Sequence, residues 1–293
     1  MLKFRCWLRT SILTLYDYHD LRAGLLANDC HGILSLEQRT TETLVRAISS
    51  QAANIKRDFD KAFNLMPFWS AYAPVQRGHM PRGEAFPWGE VGEKVVEGYL
   101  YSLLPQVFNE VAFPGIPYGH DVRFSTLDAF IHIDAKSTGP TDNLNEVVSS
   151  PNQVTGDGAI FDGGQVRNNI TQMRGARVSR DFQPELAPFV VDNGVVKPVL
   201  TYYLKIAYTV SAPGNQPLWY LELICVPNGL MLFAEDGLNL VGRVQGMLTP
   251  GKDEQHVARK RTRIKLDPLS QLAQWRCTKI FFDTQGQPYA QYR

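Results

Sequence analysis

The chain has only four cysteines, Cys6, Cys30, Cys225 and Cys277, with no CxxC spacing among them. That excludes a disulfide framework and argues against a zinc site, so free thiols of a cytoplasmic protein are the expectation. Charge of one sign is also lacking. A formal net charge of +1 gives no overall attraction to a polyanion, so any nucleic-acid surface has to come from local clustering. No apolar run is long enough to span a bilayer. From Met1 to Tyr16 basic residues precede apolar ones, but Arg5 and Arg9 interrupt the run and no small-residue cleavage site follows. A secretory leader is therefore rejected and no membrane association is expected. Repeats and low-complexity tracts are absent. What remains is ordinary globular composition, 44% hydrophobic and 20% charged over 293 residues. This can fill one large α/β domain over 1–293, with an N-terminal helical part over about residues 1–65.

Hydrophobic spacing predicts the elements. Leu44, Ile48, Ala52, Ile55, Phe59 and Phe63 recur at helical intervals, so one amphipathic helix is expected over 36–64. A turn-rich segment with aromatics, Arg77, His79 and Arg82 follows over 66–83, fit either to meet a phosphate backbone or to pack as a loop. Pro87 opens a second helix over 88–104, with Val91, Val95, Tyr99 and Leu103 on one stripe. Glu93 lies at the edge of that stripe, where a carboxylate either joins a neighbouring site or faces solvent; Glu90 is accounted for by the helix dipole. The stretch 149–174 reads as polar loop with a short helix near 165–173. Strands are expected over 195–210, 218–226, 259–266 and 279–283, with helices near Leu238 and Leu269. Helices early and strands later imply a central mixed β-sheet flanked by helices.

Chemistry concentrates between Gly119 and Ser137. An apolar strand pattern, Ala129, Phe130, Ile131 and Ile133, ends in Asp134-Ala135-Lys136. Strand side chains at i and i+2 share a face, so Asp134 and Lys136 point together. A carboxylate can bind a divalent cation and an ammonium can hold an attacking water, two parts of a phosphodiester hydrolysis site. A second carboxylate is needed. Asp128 would lie roughly 20 Å from Asp134 along one straight strand at ~3.3 Å per residue, too far for one ion. Asp121 returns opposite Asp134 if the chain turns near 125–128, about 5 Å away in a directly opposed pair. Asp121 is therefore the candidate second ligand and Asp128 a turn or strand-start residue. An isolated Asp-x-Lys triplet also forms surface ion pairs. Here it ends a strand that looks buried, where charges usually have a job.

The strongest basic cluster is Arg259-Lys-Arg-Thr-Arg-Ile-Lys-Leu266. A period of two sets Arg259, Arg261, Arg263 and Lys265 on one face and Ile264 and Leu266 on the other. Arginine can bond guanine O6 and N7 together in the major groove. A solvated edge strand carries charge in the same pattern, and the nearby hydrolysis pattern favours DNA.

Taken together these residues resemble the type II restriction endonucleases of the PD-(D/E)XK superfamily. The resemblance is carried by Asn64-Leu-Met-Pro-Phe-Trp69, Arg77-Gly, Met80-Pro, Pro87-Trp, Glu90-Val-Gly-Glu-Lys94, Gly115-Ile-Pro, Asp121, Ile133-Asp-Ala-Lys-Ser137, Gly139-Pro, Asp142, Ser150-Pro-Asn-Gln-Val154, Val226-Pro-Asn-Gly-Leu230, Pro250-Gly-Lys-Asp253 and Lys260-Arg-Thr-Arg263. The first fifty and last twenty-five residues carry little of it. The resemblance implies a restriction endonuclease-like core and a homodimer that cuts double-stranded DNA at an interrupted palindrome. It further implies Mg²⁺ as cofactor, with Mn²⁺ as a substitute and Ca²⁺ binding without turnover. The ends would be 5′-phosphate and 3′-hydroxyl, and a cognate DNA methyltransferase would accompany the enzyme in a bacterial cytoplasm. It sets Asp121 and Asp134, with the carbonyl of Ala135, as metal ligands, Lys136 as the catalytic lysine and Glu93 as the helix glutamate. Asp142, Lys252, Glu254, Arg261 and Arg263 fall at base-reading positions, implying GCC-like half-sites. Two departures stand out: the hairpin between Asp121 and Asp134 is shorter than in the family, and Glu254 replaces an aspartate. The alternatives are a repair or structure-selective nuclease on the same fold, and a DNA-binding protein without catalysis.

Overall fold

The computed structural model describes residues 15–61, 88–113, 122–155, 168–173, 176–181, 186, 189–192, 194–210, 216–228, 248–250 and 262–293. The chain opens with α1 (Leu15–Lys61) and α2 (Trp88–Val107). Strands β1 (Val122–Ser125), β2 (Phe130–Thr138) and β3 (Glu146–Ser149) follow. Next come β4 (Asn168–Met173), β5 (Ala176–Asp181), β6 (Phe189–Asp192), β7 (Val195–Tyr208) and β8 (Leu218–Val226). The chain ends with β9 (Leu248–Pro250), β10 (Thr262–Lys265), α3 (Leu266–Leu272), β11 (Cys277–Phe282) and β12 (Pro288–Tyr292).

The main sheet has the order β1-β2-β7-β8-β11-β12, with β6 also paired to β7. Its β2–β7 pair is parallel and its other pairs are antiparallel, so the expected mixed sheet is present. A smaller sheet, β3-β10-β9, carries the basic strand, and β4 pairs with β5 in a ribbon.

One face of the main sheet makes the core. Ile131, Ile133 and Ala135 of β2, Tyr202, Leu204 and Ile206 of β7, and Leu221 and Leu223 of β8 pack with Leu44, Ile48, Ile55 and Phe59 of α1 and Val96, Leu100 and Leu104 of α2. Burial of this size supplies most of the driving force for folding. A buried ion pair ties the middle of α1 to the segments flanking the sheet: Arg276 Nη2, just before β11, lies 2.6 Å from Glu37 Oε2, and Glu37 Oε1 accepts the N–H of Asn228, just past β8, at 2.7 Å.

Several expectations need correction. The first helix begins some twenty residues earlier than its apolar stripe, at Leu15. The second runs to Val107, with Pro105 in its last turn. Its buried stripe is turned by one position, with Val96, Leu100, Leu103 and Leu104 inward and Val95 and Tyr99 only partly covered. The segment 168–173 is a strand paired with β5, not a short helix; inter-strand pairing overrides local composition there. The turn-rich segment 66–83 and the helix near Leu238 lie outside the described residues.

Candidate nuclease site

The hairpin has the register that a turn near 125–128 requires. Val122 pairs with Ile133, Phe124 with Ile131 and Ser125 with Phe130. Thr126 Oγ1 closes the turn by accepting the Ala129 N–H at 3.1 Å. Asp128 sits in this turn, exposed, with Arg39 at 3.7 Å, well away from Asp134 on the strand. Asp121 itself lies outside the described residues.

On β2 the period of two sorts the side chains as expected. Ile131, Ile133 and Ala135 face the helices, leaving Asp134 and Lys136 together on the opposite face. Asp134 is 4% exposed, and Lys136 Nζ lies 2.6 Å from its Oδ2. Taking a carboxylate out of water to that extent is costly, and one ion pair offsets the cost only in part.

Glu93 reaches the same strand from α2. Past Ile133 the described ladder between β1 and β2 ends, and the N–H of Ser137 is instead accepted by Glu93 Oε1 at 3.1 Å. Gly92 permits this approach. A Cβ there would stand 2.5 Å from the Phe59 ring and 3.4 Å from Ser137 Oγ, so helix and strand meet closely because position 92 has no side chain. The helix thus delivers Glu93 to the residue next to Lys136.

Beyond the strand, Asp142 is exposed and closes a turn on Gly139: its N–H donates to Gly139 O at 3.1 Å and its Oδ2 accepts the Gly139 N–H at 2.9 Å. The buried Tyr208 hydroxyl abuts this turn, and burial and the charge of Asp142 raise its pKa.

The basic strand alternates as read. Ile264 and Leu266 are fully buried, while Arg263 and Lys265 lie on the other face. There both meet one buried carboxylate, Glu146 of β3: Arg263 Nη1 on Oε1 and Lys265 Nζ on Oε2. Arg263 is therefore braced rather than fully solvated. A guanidinium has five N–H donors, so one bond to Glu146 leaves others. Lys252, Glu254 and Arg261 lie outside the described residues. Among the described residues no three His, Cys, Asp or Glu side chains converge as a metal cluster, Asp121 not being one of them.

The family model for restriction endonuclease BglI matches residues 14–280. The chain belongs to the BglI restriction endonuclease family. It is 34% identical over 252 residues to the type II restriction enzyme BglI of Bacillus subtilis, an alignment spanning 78% of this chain and 84% of that one. The crystal structure of BglI bound to its DNA recognition sequence superposes with a TM-score of 0.75 at 29% identity, over 91% of this chain and 96% of the other. Tetrameric restriction endonuclease SfiI bound to cognate DNA matches with a TM-score of 0.57 at 12% identity, over 88% and 93% of the two chains; this shows a shared fold alone. Like BglI, the chain is a type II restriction endonuclease with a restriction endonuclease-like fold.

Sequence reasoning missed Gly92 as the point of close approach, and also Glu146, Tyr203 and Lys205 behind the site. Lys205 did leave a trace: it is the one charge in the apolar run Val199-Leu-Thr-Tyr-Tyr-Leu-Lys-Ile-Ala207, and a lysine there is seldom buried without partners.

Proposed function

We propose that this enzyme hydrolyses double-stranded DNA in a Mg²⁺-dependent reaction at an interrupted palindrome with GCC-like half-sites. It acts as a homodimer, leaves 5′-phosphate and 3′-hydroxyl ends, and is paired with a cognate methyltransferase. The observation that carries the reading is the buried Asp134 paired with Lys136 within β2, with Glu93 pinned on the next residue, Ser137. The likeness to BglI, whose crystal structure holds its DNA recognition sequence, supports DNA as the substrate.

The donor set suits a hard cation. The carboxylate of Asp134, the carbonyl of Ala135 and the carboxylate of Asp121 are oxygen ligands of the type magnesium takes, with Glu93 able to act directly or through water. When bound, the ion supplies neutralisation of the charge that develops on the phosphate and the departing 3′-oxygen. The protein's own groups do the rest. Lys136 donates a hydrogen bond to the attacking water and places it on the scissile phosphate, while its charge favours the transition state. Asp134 holds that ammonium in place at 2.6 Å. Glu93, by accepting the Ser137 N–H, fixes the strand segment just past Lys136. Arg263, Arg261 and Lys252 donate to base edges, and Asp142 and Glu254 accept from cytosine N4, each good bidentate pair contributing about 1–3 kcal/mol of discrimination.

Digestion of a sequenced plasmid in Mg²⁺, with both ends of every fragment mapped, tests this. Discrete fragments sharing one G/C-rich interrupted palindrome are expected. Cutting confined to flaps, ends or mismatches would instead mark a structure-selective nuclease.

A further inference from the structure

Directly beside the Asp134–Lys136 pair, on the parallel neighbour β7, stand Tyr203 and Lys205. Tyr203 is in register with Asp134 and Lys205 with Lys136, so all four share one face of the sheet. Both β7 residues are buried, at 0% and 1% exposure, and both reach out of the main sheet to β3 or its flanks. The Tyr203 hydroxyl is hydrogen-bonded to Ser149 Oγ and donates to Gln153 O at 3.1 Å. Lys205 Nζ donates to Leu144 O at 2.6 Å and to Glu146 O at 2.9 Å. Strand β3 is thus held at both ends, and at the end that Lys205 holds the Glu146 side chain grips Arg263 and Lys265 of the basic strand.

An apolar pair would cover this face at lower cost, since a buried ammonium is expensive to desolvate. What polar contacts at two fixed points add is registry between the sheets, because each donor tolerates only a narrow range of acceptor positions. We propose that Tyr203 and Lys205 are positioning residues that set the DNA-reading sheet β3-β10-β9 against the catalytic strand, so that a correct base at Arg263 determines where Asp134 and Lys136 stand. This rests on Arg263 as a base-reading residue. A wrong base shifts Arg263 and Glu146, and with them β3, which is anchored beside the reacting groups.

The test uses the full-length enzyme and its Tyr203→Phe, Ser149→Ala, doubly substituted and Arg263→Lys variants. Single-turnover cleavage in Mg²⁺ is measured at the mapped site and at sites carrying one altered base pair. DNA affinity is measured in Ca²⁺, and thermal denaturation checks folding. Loss of the Tyr203 hydroxyl, with its bonds to Ser149 Oγ and Gln153 O, is expected to slow cleavage of the mapped site about tenfold and narrow the cognate-to-altered ratio about as much, with affinity changed less than about twofold. Ser149→Ala removes the bond to Tyr203 but leaves the Tyr203 hydroxyl on Gln153 O, so it should act in the same direction to a smaller extent, and the double variant should do no more than Tyr203→Phe, in which the shared bond is already lost; Ser149→Ala also carries the test should Tyr203→Phe not fold. A ratio unchanged in both single variants, or rates falling equally at all sites in step with lost stability, overturns the proposal. If Arg263→Lys narrows the ratio while the Tyr203 and Ser149 variants do not, only the positioning role fails. If Arg263→Lys leaves the ratio intact, base reading by Arg263 fails and the proposal falls with it.

Discussion

Gly92→Ala is expected to damage cleavage far more than folding. The added Cβ would sit 2.5 Å from one edge carbon of the Phe59 ring and 3.3 Å from the next. Phe59 is 1% exposed and lies beside Tyr208, ring centroids 6.3 Å apart, so the ring has no free direction and α2 must move away from β2. Overpacking of this kind costs about 1–3 kcal/mol, while alanine in place of glycine inside a helix returns about 1 kcal/mol. The net loss of stability is therefore on the order of 0–2 kcal/mol, within what an ordinary domain tolerates. Cleavage is more sensitive, because the same movement pulls Glu93 from the Ser137 N–H next to Lys136. A misplacement of about 1 Å at reacting groups can cost on the order of a hundredfold. Gly98→Ala in the same helix is the control, since a Cβ there meets nothing within 4 Å; it should gain up to about 1 kcal/mol and leave the rate unchanged. Single-turnover cleavage and urea denaturation of both variants decide the matter. If Gly92→Ala matches Gly98→Ala in rate and stability, the close approach of α2 to β2 is not what places Glu93.

Two further outcomes follow from the buried charges. Glu37→Ala leaves Arg276 buried without its carboxylate and Asn228 N–H without its acceptor; a loss of about 3–5 kcal/mol is expected in urea denaturation, and Glu37→Gln should recover part of it by keeping the acceptor. Burial lowers the pKa of Lys205 to about 8 from 10.5, so between those values the unfolded chain binds more protons than the folded one. The stability of the wild type relative to Lys205→Met should then rise with pH through that window, by at most about 1.4 kcal/mol per unit; a flat difference in thermal denaturation across it would refute the burial of a charged Lys205.

The parts of the fold that local patterning determines were legible in the sequence. Val195–Tyr208 and Leu218–Val226 are long apolar runs, and the symmetry of residues 121 and 134 about a turn near 125–128 implies the same register as the observed Val122–Ile133 pair. The shared face of Asp134 and Lys136, and that of Arg263 and Lys265, followed from a period of two. What was not legible depends on pairing between distant segments. Nothing within Asn168–Met173 announces a strand, because its partner β5 supplies the hydrogen bonds. The four residues of β3 are too few for a periodicity signal, so neither Glu146 as the brace for Arg263 nor the Tyr203 and Lys205 anchors could be read. Gly92 looked like any glycine inside a helix until Phe59 and Ser137 came alongside.

The central claim is that the Asp134–Lys136 pair of β2 is the cutting site. Its most direct measurement is digestion of one sequenced plasmid by wild type and by Asp134→Ala, with Mg²⁺ and with the metal chelated, alongside circular dichroism of both proteins. Discrete fragments from the wild type in Mg²⁺ alone, and none from a normally folded Asp134→Ala, are predicted. Mg²⁺-dependent fragments of the same pattern and rate from Asp134→Ala would contradict the account.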